Sequence, residues 1–272
     1  MGLSMANEFP LDPRDFHAYY RFAPTALAIR ECARLRAVRK LSLPEPILDV
    51  GCGDGVFARL AYPNKQAWGI DINATEVSRA QATDAYRTLV CGNICDVDLP
   101  AGFFGSALAN CSLEHVPDVD AALRNIRRSL RPRAPAALIV PAFDWTRHMA
   151  TVEILCSAGL ARIADAYGQF FDRLFSHVHL YDPKEWSRRM EAAGFSDVIW
   201  YPLVDRATSW AFDLFLAPSA LGFVTKKVTG HWVAAPPLRV LTEPFARRLA
   251  DAVGALAPKG DGPGEYLLVG HA

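Results

Sequence analysis

The feature that most constrains this chain is Ile47-Leu48-Asp49-Val50-Gly51-Cys52-Gly53-Asp54-Gly55, an apolar run that passes directly into three glycines at alternate positions. A short apolar run ended by a glycine turn reads as a buried strand. Helix-compatible residues begin again at Val56, so the order is strand, tight turn, helix, the opening of a βαβ unit. Glycines carry no Cβ, which lets a ligand lie against the backbone amides at the start of the helix. The spacing is GxGxG. Gly55 comes one position early for the last glycine of a GxGxxG dinucleotide fingerprint, and Val56 stands in its place, which disfavours a pyrophosphate site. Asp49, just ahead of the glycines, suits a ligand that carries positive charge.

The rest of the chain extends the alternation. Strands are expected at 46–50, 67–70, 89–91, 106–109 and 136–140, with helices at 56–61, 75–85 and 119–129, the pattern of a parallel sheet with crossover helices. Phe22, Leu27, Ile29, Leu35 and Val38 recur at roughly helical spacing among arginines, which predicts an amphipathic helix over 19–40. After Pro141 a helical insertion is expected over 142–180. Asp182, Pro183 and Gly194 then supply the cap, first turn and stop of a further helix. A sixth strand follows at 195–203. Residues 207–250 are aromatic and punctuated by proline, with Trp210, Phe212, Phe215, Phe223 and Trp232 and no strand alternation; 209–224 reads as a buried cap helix, with Lys226 and Lys227 after it. A terminal strand is expected at 265–270, after a 259–264 loop. The expected architecture is α/β: a Rossmann-like seven-stranded, mostly parallel sheet with helices on both faces and a helical cap. Its parts are an N-terminal helical lid at 1–45, a ligand-binding core at 46–141, a helical insertion carrying the sixth strand at 142–250, and a last core strand within 251–272.

Composition removes several classes of function. Lys+Arg and Asp+Glu balance at 29 each, so no basic excess draws the chain to nucleic acid. The cysteines, at 32, 52, 91, 95, 111 and 156, lack the paired spacing of a zinc site, and no metal is expected. They read as reduced thiols of a cytoplasmic protein. Met1–Pro10 has no signal-peptide pattern, and no apolar run has the about 18–20 residues needed to span a bilayer.

The expected ligand contacts all lie at carboxyl ends of strands, where open α/β sheets bind their ligands. Asp71 ends the second strand, where a carboxylate accepts both hydroxyls of a ribose. Asn93 and Ile94 follow the third strand, placed for the edge and face of a base. Asn110, Cys111 and Ser112 follow the fourth. With these residues named, 46–141 resembles the class I methyltransferases, the broad group that includes the quinone-biosynthesis C-methyltransferases. The resemblance rests on the 49–55 glycine motif, on Asp71 as the ribose acid, and on Ser112-Leu113-Glu114-His115-Val116-Pro117-Asp118 after the fourth strand. It implies S-adenosylmethionine as cofactor, held by Asp49, Gly51, Cys52, Gly53, Gly55, Asp71, Ile72, Asn93, Ile94, Asn110, Cys111 and Ser112. The chain departs from the family pattern in having Asn93 and Gly105 where aspartates are usual, and Pro132-Arg133-Ala134 where Pro-Gly-Gly is usual.

His115, at the lip of the expected pocket, is the candidate base, because a neutral imidazole takes a proton near pH 7. Tyr19, Tyr20, His177, His179, Trp210 and Phe215 are candidates for the acceptor pocket. The acceptor is expected to be a small apolar molecule such as a lipid, quinone, isoprenoid or polyketide. Peripheral contact with a membrane is compatible with the 209–227 segment, and a monomer or homodimer is expected. Two other readings stand beside this one: a non-catalytic S-adenosylmethionine-binding or assembly protein, and an NAD-type oxidoreductase, which the GxGxG spacing disfavours.

Overall fold

The computed structural model describes residues 11–229, 232–233, 236–258 and 263–272. In chain order the elements are α1 (Pro13–Tyr20), α2 (Thr25–Arg39), β1 (Ile47–Val50), α3 (Val56–Ala61), β2 (Ala67–Asp71), α4 (Ala74–Gln81), β3 (Thr88–Cys91), β4 (Ser106–Asn110), α5 (Val119–Ser129) and β5 (Pro135–Pro141). They continue with α6 (Ala150–Ser157), α7 (Ala161–Phe175), α8 (Pro183–Ala192), β6 (Ser196–Val204), α9 (Arg206–Thr229), α10 (Pro236–Leu256) and β7 (Glu265–His271). The expectation for Met1–Pro10 falls outside the described residues, as do most of the 259–264 loop and the side chains of Phe223 and Lys227.

The seven strands form one sheet in the order β3-β2-β1-β4-β5-β7-β6. β1 runs parallel to β2 and β4, β2 to β3, and β4 to β5, while β7 pairs antiparallel with β5. This is the mostly parallel, doubly wound arrangement expected. β1 and β5 are buried or nearly so along their whole length, as parallel strands covered on both faces must be. The strand order reverses at β1, between β2 and β4, and an open sheet leaves its crevice at such a switch point.

By compactness the chain divides into two units. One comprises 1–36, 144–175 and 202–264; the other comprises 37–143, 176–201 and 265–272. In the second unit Ile47, Leu48, Leu108, Ile139, Leu267 and Leu268 are fully buried, and α5 turns Ala122, Leu123 and Ile126 inward. Burying such a side chain is worth about 1.5–3 kcal/mol, so the sheet faces contribute strongly to this unit's stability. Gly105 fits only because it lacks a side chain: a Cβ there would lie 2.6 Å from the Glu45 carbonyl oxygen and 2.7 Å from that of Pro44.

In the first unit the Arg30 guanidinium lies 3.7 Å from the ring centre of Phe212 and 4.8 Å from that of Trp145, and all three residues are buried. Such stacking pairs a cation with the negative face of a ring. The buried Asp213 accepts from the Tyr167 hydroxyl at 2.5 Å and from Thr151 N at 2.7 Å.

The helices expected over 19–40 and 75–85 differ from those found. The helix expected over 19–40 is two helices, because Pro24 biases Ala23 away from helical geometry; α1 ends at Tyr20 and α2 begins at Thr25. α1 also starts earlier than the periodicity suggests, at Pro13, with Asp12 accepting from Arg14 N and Asp15 N as its cap. The helix expected at 75–85 stops at Gln81, and Asp84 beyond it takes a left-handed conformation with φ 53°.

Candidate functional site

The glycine turn is folded back onto the end of β2. Gly51 N and Cys52 N both donate to the Ile70 carbonyl, at 2.8 and 3.0 Å. Gly51, Gly53 and Gly55 have φ of 73°, 53° and 78°, a region costly for residues with a Cβ. At Gly51 a Cβ would also lie 2.3 Å from that of Ser112, whereas at Gly53 it would meet nothing within 4 Å. Gly53 therefore serves the backbone's path and leaves open space above it. Asp71 ties the two strand ends together: one carboxylate oxygen accepts from Gly53 N at 2.9 Å and the other from Asn73 N at 2.8 Å.

A cavity of about 400 Å³ opens over these strand ends. Gly51, Asp71, Ile72, Asn93, Ile94, Cys111, Ser112 and His115 line it, so eight of the residues expected from sequence converge. Val50, Ile70, Gly92, Val116 and Pro117 complete the wall. Sequence reading missed these five, although each lies at a strand end or in a motif already singled out. Ile72 is 73% exposed at the cavity, an apolar surface available to a flat ring. The loop after β3 is held by Asn125, which donates to the Ile94 and Val97 carbonyls, both at 2.9 Å, and the side chain of Asn93 accepts from Cys95 N. Cys111 takes a left-handed φ of 47°, and Ser112 Oγ donates to the Val50 carbonyl at 2.6 Å.

The remaining candidates lie elsewhere. Asp49 is buried beneath the turn, and one of its oxygens accepts from both the Tyr62 and Tyr86 hydroxyls, at 2.5 and 2.6 Å. Burial pushes its pKa up from 3.8 to about 6, against the two phenols, which lower it; neighbouring Asp71 adds to the rise. Cys52 is buried, and its thiol is pushed up by burial and then by the Asp49 and Asp71 charges, which suits packing and not a nucleophile. Gly55 turns toward Thr83 and Tyr86, and Asn110 ends β4 without reaching the cavity wall.

His115 sits in a short 3₁₀ turn, Leu113–His115, directly after β4. Its Nδ1 lies 3.2 Å from the Ser176 carbonyl oxygen, and its ring stacks on that of His177 with centroids 5.5 Å apart. Burial holds it below the ordinary imidazole range, the Ser176 hydrogen bond opposes this, and His177 adds to the lowering. His179 is occupied at both nitrogens. Its Nε2 faces the Val116 and Pro117 carbonyls at 3.0 and 3.2 Å, so Nε2 carries the proton and Nδ1 accepts from the Tyr181 hydroxyl at 2.8 Å. His179 is thus a pin between two segments.

The other four pocket candidates belong to the first unit. Tyr19 and Tyr20 are buried there, Tyr20 under the Arg239 guanidinium at 3.8 Å. Trp210 Nε1 donates to Glu153 at 2.9 Å, and Phe215 is half-buried. Among the described residues, no helix is long and apolar enough to cross a membrane.

A mostly parallel sheet of reversed order, with a glycine turn, a carboxylate and a cavity at its switch point, is the arrangement of an α/β protein that binds a small ligand at its strand ends. Comparison with known proteins narrows this. The methyltransferase-domain family matches residues 19–199, and the chain belongs to that family. An uncharacterised methyltransferase of Mycobacterium tuberculosis is 32% identical over 96 residues, covering 34% of this chain and 49% of that protein. The 2-phytyl-1,4-naphtoquinone methyltransferase of Trichormus variabilis is 33% identical over 102 residues, covering 34% of this chain and 44% of that protein. The matches span about half the length of these curated relatives.

Among solved structures, a SAM-dependent methyltransferase of Thermotoga maritima, described as a possible histamine N-methyltransferase, superposes with a TM-score of 0.56 at 16% identity, over 95% of this chain and 93% of that one. Phosphoethanolamine N-methyltransferase 2 of Haemonchus contortus, solved with S-adenosyl-L-methionine, gives 0.54 at 14% identity, over 96% and 57%. The fold is that of the class I methyltransferases, whose cofactor is S-adenosylmethionine. The residues present fit it: the cavity volume is in the about 300–1,000 Å³ range of small-molecule sites, and its wall offers an open glycine backbone, a carboxylate with acceptor capacity to spare and an exposed apolar side chain.

Proposed function

We propose that this chain transfers a methyl group from S-adenosylmethionine to a small, apolar acceptor. The observation that carries the reading is the convergence of Gly51, Asp71, Ile72, Asn93 and His115 on one cavity at the switch point of the sheet. S-adenosylmethionine, when bound, supplies a methyl carbon on a positively charged sulfur that is open to attack from the opposite side.

The chain's own residues position the partners. The Asp71 carboxylate offers about four acceptor positions, of which backbone N–H groups take two, so it can also accept from ribose hydroxyls. Ile72 and Ile94 supply apolar surface for the base, and Asn93 its polar edge. Val116 and Pro117 make the wall beside His115 apolar, which suits an apolar acceptor; the quinone substrate named for the Trichormus relative agrees with that chemistry. Alignment in such a pocket is worth several kcal/mol of barrier. His115 stands where the acceptor's proton is lost. Because Ser176 offers only a carbonyl, Nδ1 carries the ring proton and Nε2 is left basic.

The balanced charge argues for a small molecule as acceptor over nucleic acid. Calorimetric titration with S-adenosylmethionine and S-adenosylhomocysteine, with NAD as control, tests the reading. Micromolar binding of the two sulfur nucleosides alone is expected; binding of NAD, or of none of the three, overturns it. Once an acceptor is found, His115→Ala should lower turnover at least tenfold with cofactor affinity little changed. Equal turnover would remove His115 from the chemistry.

A further inference from the structure

The residues around His115 form a donor set that proton transfer alone does not explain. Glu114 is buried, with 1% of its surface exposed, and its Oε1 lies 3.7 Å from His115 Nε2. The Ser176 carbonyl fixes the proton on Nδ1, so the neutral ring turns a lone pair, not a proton, toward a buried carboxylate. Glu114 Oε1 and His115 Nε2, the latter on a ring 41% exposed, are two donor atoms that a single cation can bridge. His177 brings a third donor: one ligand atom from each of Glu114, His115 and His177 lies within 4.8 Å of the other two.

The backbone holds these residues in register, since Val178 N and His179 N both donate to the Glu114 carbonyl, at 2.9 and 3.0 Å, and His179 pins the same segment to Val116 and Pro117. Metal-ligating histidines characteristically donate their second ring nitrogen to a carbonyl, as His115 does to Ser176. Bonds of about 2.1 Å to a tetrahedral ion put donor atoms about 3.4 Å apart, close to the Glu114–His115 separation, so the site closes with a small swing of the His177 side chain.

We propose that Glu114, His115 and His177 bind one divalent transition-metal ion of the zinc class, with a fourth position open to the cavity that His115 lines. Two histidines and one carboxylate with an open position make a catalytic type of zinc set, not a closed structural one. The ion binds where His115 lines the cavity. Its use in the reaction rests on the methyltransferase reading: the open position holds an acceptor hydroxyl as its anion, the ion lowering its pKa so that the proton passes to solvent before the methyl group is transferred, and His115 Nε2 is then a ligand in place of a base. Ion binding itself does not depend on that reading.

The test uses the whole protein, stripped with a chelator and titrated with Co²⁺ and then Zn²⁺. Co²⁺ binding at about one ion per chain is expected, with the visible spectrum of a low-coordinate N/O site that Zn²⁺ displaces. His177→Gln should weaken binding at least tenfold while circular dichroism and S-adenosylmethionine affinity stay unchanged, and Glu114→Gln should do the same if the variant folds. Absence of a Co²⁺ spectrum, or equal binding by wild type and His177→Gln, overturns the metal site. Failure of S-adenosylmethionine to bind the stripped and the Zn²⁺-loaded protein alike would instead count against the methyltransferase reading.

Discussion

Asp49 offers the sharpest test of the structure, because its position separates two accounts of one residue. Facing the ligand, its charge would attract a cation; buried under Tyr62 and Tyr86, the same charge costs stability. The rise of its pKa from 3.8 to about 6 in the folded protein corresponds to about 3 kcal/mol, at about 1.4 kcal/mol per tenfold. The folded form keeps a proton that the unfolded chain has already released, so stability falls as pH rises through the window from 3.8 to about 6, and the full cost is present above it.

Asp49→Asn fixes the neutral form and keeps an oxygen for the two phenols. Urea unfolding of wild type and variant at several values between about pH 4 and pH 7 isolates this group, since every other titration is common to both. The stability of the variant relative to wild type should grow by about 3 kcal/mol over that range. A flat difference would refute the burial argument. A variant that loses ground with rising pH would show that the phenols stabilise the anion by more than burial penalises it. S-adenosylmethionine affinity should change by less than about threefold, since the carboxylate is not part of the cavity wall.

Three further outcomes are expected. Asp71→Ala should weaken S-adenosylmethionine binding by about 1.5–3 kcal/mol through loss of charge-assisted hydrogen bonds, measured calorimetrically; affinity within twofold of wild type would sink the ribose role. Gly51→Ala should cost at least about 2 kcal/mol of stability, because it adds left-handed strain to a Cβ placed 2.3 Å from that of Ser112; a denaturation midpoint equal to wild type would mean the turn can re-form. Gly105→Ala should be at least as damaging, since the atoms it meets are the Pro44 and Glu45 carbonyls and cannot swing away; it should depress thermal stability without altering cofactor affinity once folded.

The sheet and most of the cavity were legible because both are written locally. An apolar run such as 47–50 ends in glycine, Asp71 closes the next run, and carboxyl ends of parallel strands converge wherever such a sheet forms. α9 and α10 were harder. Pro218 and Pro244 lie inside them, and proline is a helix-stop signal, so the sequence predicts only part of α9, 209–224, and shows α10 only as an aromatic stretch without strand alternation. Asp49 shows another limit: its partners, Tyr62 and Tyr86, lie 13 and 37 residues away, and no local pattern announces which face of β1 they cover. His177 and His179 looked alike in sequence. Only the hydrogen bonds show that His179 is held at both nitrogens while His177 lies against His115.

The place of β7 bears on how the protein is made. Residues 265–271 lie between β5 and β6, strands that leave the ribosome well before them. Until those seven residues emerge, β5 has no neighbour on one side, and its row of backbone N–H and C=O groups is exposed to whatever extended chain is near. The sheet is therefore completed after synthesis has passed residue 271, by a pairing between segments more than 120 positions apart, which is slow by the standards of local folding. During that interval the nascent chain has an open apolar edge, and it is then that chaperone capture or strand-to-strand aggregation would act on it.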